Sequence, residues 1–389
     1  ALRFVWSGDT VGQGWGINPD FGGLRLYETM RQVKPDFFLH SGDTIYADGP
    51  LEESVTQHDG SLWRNIVTPA KSKVAETLDE YRGQYAYNLM DENLRRFNAE
   101  VPMFAQWDDH ETTNNWYPGE ILEDDRYTEK NLDVLSANAR RAFLENMPLR
   151  ASSMPAGTRM QLYRQARYGD LLDLNLLDTR QYRSDQSCDD RWGVPCQAID
   201  RRDAAVLGGA QEEWLMGRLR ASDARWQVLA QQIMMMDLDR TPGEPRTENL
   251  DSWAGYREPR RRVLEAVREQ GRGNVVVLTG DEHQNYAGEL HVDGKAPGPR
   301  PIATEFVATS ITSGGNGVDQ RGDTVAIQQE NPQLKWHNAQ RGYVMCEVTP
   351  DLWTTKFRTI DSVTDRGGEI RTRMTMTVEN GRPESLAEA

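Results

Sequence analysis

The 389-residue sequence contains no apolar run of about eighteen residues, so no segment is long enough to cross a bilayer as a helix. Its first residues lack the charged, apolar and small-residue regions of a signal peptide. The sequence opens directly on a strand-like segment, Leu2 to Trp6, which predicts that a leader or an earlier domain has been removed. Lys and Arg never gather into a run that could track a phosphate backbone, and the formal net charge is −15, so nucleic acid is not an expected partner. An acidic chain can still bind an anionic substrate where bound cations dominate the local field. Cysteine is scarce, with three in all. Cys188 and Cys196 bracket a short acidic loop. They either pair in an oxidising compartment, which we expect, or stand reduced in a cytosolic protein. Cys346, in the apolar run Tyr343-Val344-Met345-Cys346, reads as a small buried hydrophobe.

What the sequence does have is a set of short apolar runs that each stop at acidic or polar residues. Leu2-Arg3-Phe4-Val5-Trp6 runs into Ser7-Gly8-Asp9, and Phe37-Phe38-Leu39 into His40-Ser41-Gly42-Asp43. Val101 to Ala105 runs into Trp107-Asp108-Asp109-His110-Glu111, and Val275 to Leu278 into Thr279-Gly280-Asp281-Glu282-His283. Runs of this kind fit strands buried on both faces, each delivering its acids to one sheet edge. Helical patterns lie between them, at Leu24 to Val33, Lys71 to Phe97, Asn131 to Glu145, Ala210 to Leu219 and Pro259 to Glu269. Strands alternating with helices predict an α/β chain with a largely parallel central region, its ligands outside the carboxyl ends of the strands. Further strands are expected at Leu171 to Leu177, Val228 to Gln231 and Thr304 to Val307. The late pair Tyr343 to Val348 and Trp353 to Ile360 is expected to form an antiparallel hairpin. Residues 1–389 read as one catalytic domain.

Asp9, Asp43, Asp109, Asp281 and His283 therefore each follow a strand. Carboxylates crowded at one edge repel unless protonated or bridged by cations, and metal binding is the economical solution. A lone Gly-Asp after a strand is more often an Asp capping the next helix; four in the same role shift that balance. Tyr46 follows Asp43 by three residues, a spacing at which one turn can aim both side chains at one ion. Taken alone it reads equally as a packed tyrosine with a satisfied hydroxyl.

Together these segments resemble the calcineurin-like metallophosphoesterases, including purple acid phosphatases, with their Asp, Gly-Asp-x-x-Tyr, Gly-Asn-His-Glu and late Gly-His-x-His motifs. The third motif here is Trp107-Asp108-Asp109-His110-Glu111 and the last Gly280-Asp281-Glu282-His283. With Tyr46-Ala47-Asp48, Asp178-Thr179-Arg180-Gln181-Tyr182-Arg183 and Gln340-Arg341-Gly342-Tyr343, the pattern is similar to the PhoD-like alkaline phosphatases and phosphodiesterases over nearly the whole chain. That resemblance implies an α+β sandwich of central sheets flanked by helices and hydrolysis of phosphate esters at a cluster of Fe3+ and one or two Ca2+ ions. It also implies export to the periplasm or the extracellular space. It makes Asp43 a bridging ligand, Tyr46 and His283 ferric ligands, and Asp108, Asp109 and Asp281 ligands of calcium-type sites. Asp48 and Asn138 become outer calcium ligands. Ser7-Gly8-Asp9 stands where PhoD-like relatives can carry a Cys, so Asp9 supplies a carboxylate as in purple acid phosphatases. The exchange of imidazole and amide for carboxylate independently favours calcium over zinc by ligand hardness.

His110 would sit beside the phosphate, either protonating the leaving oxygen or merely orienting a ligand. Arg180 would either clamp a non-bridging oxygen or pair structurally with Asp178 or Asp185. His58, His291 and His337 read as surface or structural, and His40 as a support behind the site. Met234-Met235-Met236 reads as core or pocket wall, and Ser313-Gly314-Gly315-Asn316-Gly317 as a tight turn. Trp15, Trp107, Trp116 and Trp192 belong either to a core or to a substrate cleft. The expected substrate is a small or lipid-derived phosphate ester, with a phosphotriesterase or phospholipase-type diesterase as the alternative chemistry. A calcium-binding or adhesion module is the non-enzymatic reading, but adhesion has no use for Tyr46, His110 and His283 at these positions.

Overall fold

The computed structural model describes residues 1–57, 60–153, 160–293, 300–366 and 368–389. His58 and much of the 293–301 loop lie outside them. Two seven-stranded sheets dominate. The first runs in the order Arg382–Glu388, Ile370–Glu379, Leu352–Ile360, Gly342–Val348, Leu2–Ser7, Phe37–His40 and Met103–Ala105. The second runs Leu334–Asn338, Asn285–Leu290, Ala303–Val307, Val275–Thr279, Trp226–Ala230, Leu172–Leu176 and Arg164–Tyr168. The centres are parallel as expected: Leu2–Ser7 with Phe37–His40 and Met103–Ala105, and Leu172–Leu176 through Trp226–Ala230 and Val275–Thr279 to Ala303–Val307. The late hairpin is antiparallel, pairing Val344 with Phe357 and Cys346 with Thr355.

One apolar core joins the two sheets. Phe4, Trp6, Leu39, Val344 and Trp353 from the first pack with Leu174, Trp226, Val228, Leu278 and Phe306 from the second. A sheet face must bury its apolar side chains against another layer, and here the two sheets do so against each other. Further cores lie on the outer faces beneath helices. Met234, Met235 and Met236 are buried in one with Leu215, Leu219, Val263 and Leu264. Another holds Trp107, Trp116, Leu135 and Phe143.

Four helical segments fall where periodicity places them: Arg25–Gln32, Leu132–Asn146, Gly208–Ala221 and Arg257–Gln270. The Lys71 to Phe97 pattern is not one helix. Thr77 and Glu80 form a capping box that starts a helix at Leu78–Asn88, and Asp91 caps a second at Glu92–Glu100 by accepting from the Leu94 N–H. The other Asp91 oxygen accepts from Leu24 N–H at 2.9 Å, so the break also anchors the start of Arg25–Gln32. Five strands of the two large sheets were not evident beforehand: Arg164–Tyr168, Asn285–Leu290, Leu334–Asn338, Ile370–Glu379 and Arg382–Glu388. Cys188 and Cys196 are bonded and Cys346 is buried, both as expected. Among the described residues no helix is long and apolar enough to cross a membrane.

Candidate metal centre

The strand ends converge. Backbone pairing carries the first turn onto the second, with Asp9 N–H donating to Gly42 O at 3.2 Å and Thr10 N–H to Asp43 O at 2.8 Å. Gly42 lets the second turn meet the third: a Cβ there would lie 2.6 Å from the Asp108 Cβ and 2.7 Å from its backbone nitrogen, so only glycine fits. Asp9, Asp43, Asp281 and His283 all have positive φ, between 52° and 64°. This is uncommon for residues with a Cβ and concentrates at functional sites.

Three adjoining groups of ligand atoms result, each with its atoms within 4.8 Å of one another: Asp9, Asp43 and His283; Asp43, Asp109 and His110; and Asp108, Asp109 and Asp281. Asp43 and Asp109 each belong to two. Tyr46 joins the first group, its hydroxyl 2.8 Å from His283 Nε2, which lies 3.1 Å from Asp9 Oδ1. The His110 ring stacks on the Tyr46 ring at 4.2 Å, and its Nδ1 is 2.7 Å from Asp48 Oδ1. His110 N–H reaches Asp109 Oδ1 at 2.9 Å and Asp43 Oδ1 at 3.3 Å.

So many buried acids cannot all carry charge unaided. Two ionised carboxylates about 5 Å apart repel by roughly 3 kcal/mol at an effective dielectric of about 20. Burial first, then Asp109, Asp108, Asp9 and Glu111, hold the Asp43 carboxyl well above the usual range. Asp281 is raised by burial and by Asp108 and Asp109. Asp108 is raised by burial against the opposing pull of Arg180. At Asp109 burial is outweighed by Arg180 and His110, which bring it below the usual range. Burial would lower His110, but Asp48 and then Asp109 push it up to about 9. Burial, then Asp43 and Asp9, lift the Tyr46 phenol well above its ordinary value. Asp9 Oδ2 and Asp108 Oδ2 are buried without a hydrogen-bond partner. Cations would answer all of this at once: they would neutralise the acids, pair the orphaned oxygens and displace the phenolic proton. The donor set fits metal ions.

The remaining expected residues fall at varying distances from these groups. Asp48 adjoins them through His110, while its Oδ2 accepts from Asn114 N–H at 2.9 Å. Asn138, on Leu132–Asn146, donates its amide to Glu76 O at 2.9 Å. The Arg180 guanidinium pairs with neither Asp178 nor Asp185. Its side chain has no exposure, and Nε lies 2.5 Å from Asp108 Oδ1, with Nη1 2.8 Å from Asp251 Oδ2 and Nη2 3.6 Å from Asp109 and 3.9 Å from Asp281. It is a buried counter-ion beneath the cluster, and Asp178 receives only its backbone N–H. Trp107 and Trp116 are core, while Trp192 is 47% exposed. The His40 side chain is buried behind the second turn, where Nδ1 accepts from Gly42 N–H at 3.3 Å.

Four supports were not anticipated. Glu111, fully buried, accepts from the N–H groups of Asp43 at 3.2 Å, Thr44 at 2.6 Å and Asp108 at 2.8 Å, fastening two ligand turns together. Asn115 N–H donates to Asp109 Oδ2 at 2.7 Å. Asp251 receives Arg183 and Gln186 on one oxygen and faces Arg180 with the other. Arg341 donates to His283 O at 2.6 Å and to Gly315 O at 3.1 Å. Of these, Glu111 and Arg341 lie in segments that carried the resemblance, Trp107 to Glu111 and Gln340 to Tyr343, although neither had a role assigned.

The sequence matches the family model described as PhoD-like phosphatase over residues 4–357. The chain belongs to the PhoD-like phosphatase family. It is 41% identical over 354 residues to alkaline phosphatase D of Bacillus subtilis (strain 168), across 91% of this chain and 59% of that protein. The chain thus spans 59% of the length of that curated relative. A solved structure described as "Structure of PhoD" superposes with a TM-score of 0.89 at 37% identity, covering 100% of this chain and 71% of that one.

Proposed function

We propose that this chain hydrolyses phosphate esters at cations held by Asp9, Asp43, Tyr46, Asp108, Asp109, Asp281 and His283. The observation that carries the reading is the run of three adjoining ligand groups joined through Asp43 and Asp109, with buried carboxylate oxygens left without partners. The name of the Bacillus relative points the same way. We assign a ferric ion to Asp9, Asp43, Tyr46 and His283, because a phenol gives up its proton most readily to a hard trivalent cation. We assign one or two calcium ions to the carboxylates of Asp43, Asp108, Asp109 and Asp281, with Asp48 and Asn138 as outer ligands, because hard oxygen donors suit calcium.

Bound cations supply positive charge for the phosphoryl oxygens and a water acidified enough to attack in line. The protein's own groups then orient the reaction. Asp48 fixes the His110 ring through Nδ1, leaving Nε2 to give a proton to the departing oxygen. Stacking on Tyr46 holds the ring in place. Arg180, enclosed by Asp108, Asp109, Asp251 and Asp281, acts by keeping those carboxylates ionised and in register rather than by touching substrate. Residues 1–389 act as one catalytic unit, since a single core joins both sheets. The Cys188–Cys196 bond supports export to the periplasm or beyond, since such bonds persist mainly in oxidising compartments.

The test is hydrolysis of p-nitrophenyl mono-, di- and triesters by protein purified with its own metals, beside elemental analysis and a visible spectrum. Turnover of at least one ester class, iron with a phenolate charge-transfer band, and loss of both in Asp43→Asn are expected. No hydrolysis across the panel would end the enzymatic reading; zinc alone would overturn the ferric assignment.

A further inference from the structure

Six tryptophans, Trp6, Trp107, Trp116, Trp226, Trp253 and Trp353, are fully buried, whereas Trp192 leaves 47% of its surface open. It sits in the loop closed by Cys188 and Cys196. Exposure of one aromatic needs no explanation by itself, but this one is held from two sides, and both holds end on ligand turns.

On one side the Trp192 ring covers the Arg240 guanidinium at 4.6 Å. Arg240 in turn makes a two-pronged ion pair with Glu282, at 2.6 and 2.5 Å. Glu282 stands between Asp281 and His283 in the chain. The Trp192 backbone pairs with Asn249, whose amide also reaches Glu282, at 3.3 Å. On the other side Asn115 donates its amide to Asp190 O at 2.7 Å while its backbone N–H holds Asp109. The loop is therefore strapped to the edge of the Asp108, Asp109 and Asp281 group, where Asp281 keeps 17% of its side chain open. The indole lies against Arg240, and 47% of the residue's surface stays open. Val194, in the same loop, is 55% exposed.

We propose that Trp192 is the wall of a subsite for an apolar or aromatic group carried by the phosphate ester, and so determines specificity. This rests on the phosphoesterase reading above. A ring with few rotatable bonds, already immobilised, offers contact area at small entropic cost, and an aromatic partner stacks on it offset or edge-on. Anion charge goes to the cations; discrimination between organic groups goes to the rim.

The experiment compares two esters with one leaving group, p-nitrophenyl methyl phosphate and p-nitrophenyl phenyl phosphate, on the metal-loaded full chain. Trp192→Ala is expected to lower kcat/KM for the phenyl ester by roughly five- to tenfold, the worth of an aromatic contact, and for the methyl ester by less than about twofold. Trp192→Phe should restore most of the phenyl preference. Should the alanine variant fold poorly, Trp192→Phe and Trp192→Gln carry the same comparison, with preference kept in the first and lost in the second. Equal falls on both esters would reduce Trp192 to a cover for Arg240, and no change on either would remove it from the site; both overturn the proposal. Wild type hydrolysing neither ester would instead strike the phosphoesterase reading, and the subsite with it.

Discussion

Replacing Glu111 by Gln tests whether the site depends on a clip as well as on ligands. The carboxylate accepts three backbone N–H groups, two on Oε2 from Asp43 and Asp108 and one on Oε1 from Thr44. An amide has one accepting oxygen. If it stays on the Asp43 and Asp108 pair, the NH2 group faces Thr44 N–H, donor against donor. A buried donor left unpaired costs about 1–3 kcal/mol. With about 2.1 cal/mol/K of unfolding entropy per residue, that corresponds to a fall of roughly 1–4 °C in Tm for a chain of this size. The loss of activity should be larger in proportion. Asp43 and Asp108 sit on different strand-end turns, and a 1 Å misplacement in a catalytic site can cost about a hundredfold. Glu111→Gln should therefore keep its fold by circular dichroism, lose a few degrees by calorimetry, bind less metal by elemental analysis and lose about one to two orders of magnitude in kcat. Glu111→Asp keeps the charge but is a methylene shorter, and should rescue only one of the two turns. Full metal content with kcat within about twofold of wild type would refute the clip.

Asp43→Asn should lower Tm in metal-loaded protein and raise it after chelation, because the residue is a ligand in one state and a repelling acid in the other; the same sign in both states would contradict this. The Tm gap between loaded and metal-free protein should widen from pH 5 to pH 8. Asp43, Asp108 and Asp281 have raised folded values without metal, so the metal-free fold binds more protons than the unfolded chain and loses stability as pH rises. A gap that narrows would refute it. Away from the site, Glu305 accepts from Met235 N–H at 2.8 Å, Met236 N–H at 2.5 Å and the Thr279 hydroxyl at 2.6 Å, yet burial pushes its carboxyl up to about 7. Stability should fall as pH rises from the ordinary 4.5 through about 7, by up to about 3 kcal/mol at about 1.4 per unit. Glu305→Gln should lack that decline, so its Tm relative to wild type should climb between pH 5 and pH 8 in chelated protein; a constant offset would count against the raised value.

The acidic turns were legible because a strand buried on both faces reads as an unbroken apolar run, and an acid that interrupts one stands out. Val275–Thr279 is buried throughout and stops at Gly280-Asp281. Outer strands give no such contrast. Ile370–Glu379 carries exposed Arg and Thr and reads as polar chain, and Asn285–Leu290 has Gly288 in its middle, where a Cβ would meet Met236 Sδ at 2.3 Å. The helix break at Asp91 was hidden because that residue's second partner, Leu24, lies 67 positions away. Distance in sequence also hid the supports of the site. Arg180 meets Asp108 across 72 residues, and Arg341 meets His283 across 58. Ligand type is written locally, at the end of each strand. The identity of the counter-ion partner is a property of the packed layers.

The positive φ values show how the two levels join. A residue that continues its strand must point into the shared core on one side or toward the helices on the other. Neither direction leads to the edge where four turns meet. Turning Asp9, Asp43, Asp281 and His283 into the left-handed region redirects their side chains toward that edge, at a cost of the order of 1 kcal/mol each. The sheets hold the turns in this form: Ser41 N–H bonds to Ser7 O, Gly280 N–H to Gln232 O, and Asp9 and Thr10 are zipped to the second turn. Glycines fill the neighbouring positions 8, 42 and 280, where a Cβ would come within 2.8 Å of the adjoining turn. In the Gly-Asp pairs at 8–9, 42–43 and 280–281, therefore, glycine supplies the space and aspartate takes the strained conformation. The reverse order would not fit: a Cβ would lie 2.7 Å from Gly42 O at position 8, 2.6 Å from the Asp108 Cβ at position 42 and 2.8 Å from the Ser41 Cβ at position 280.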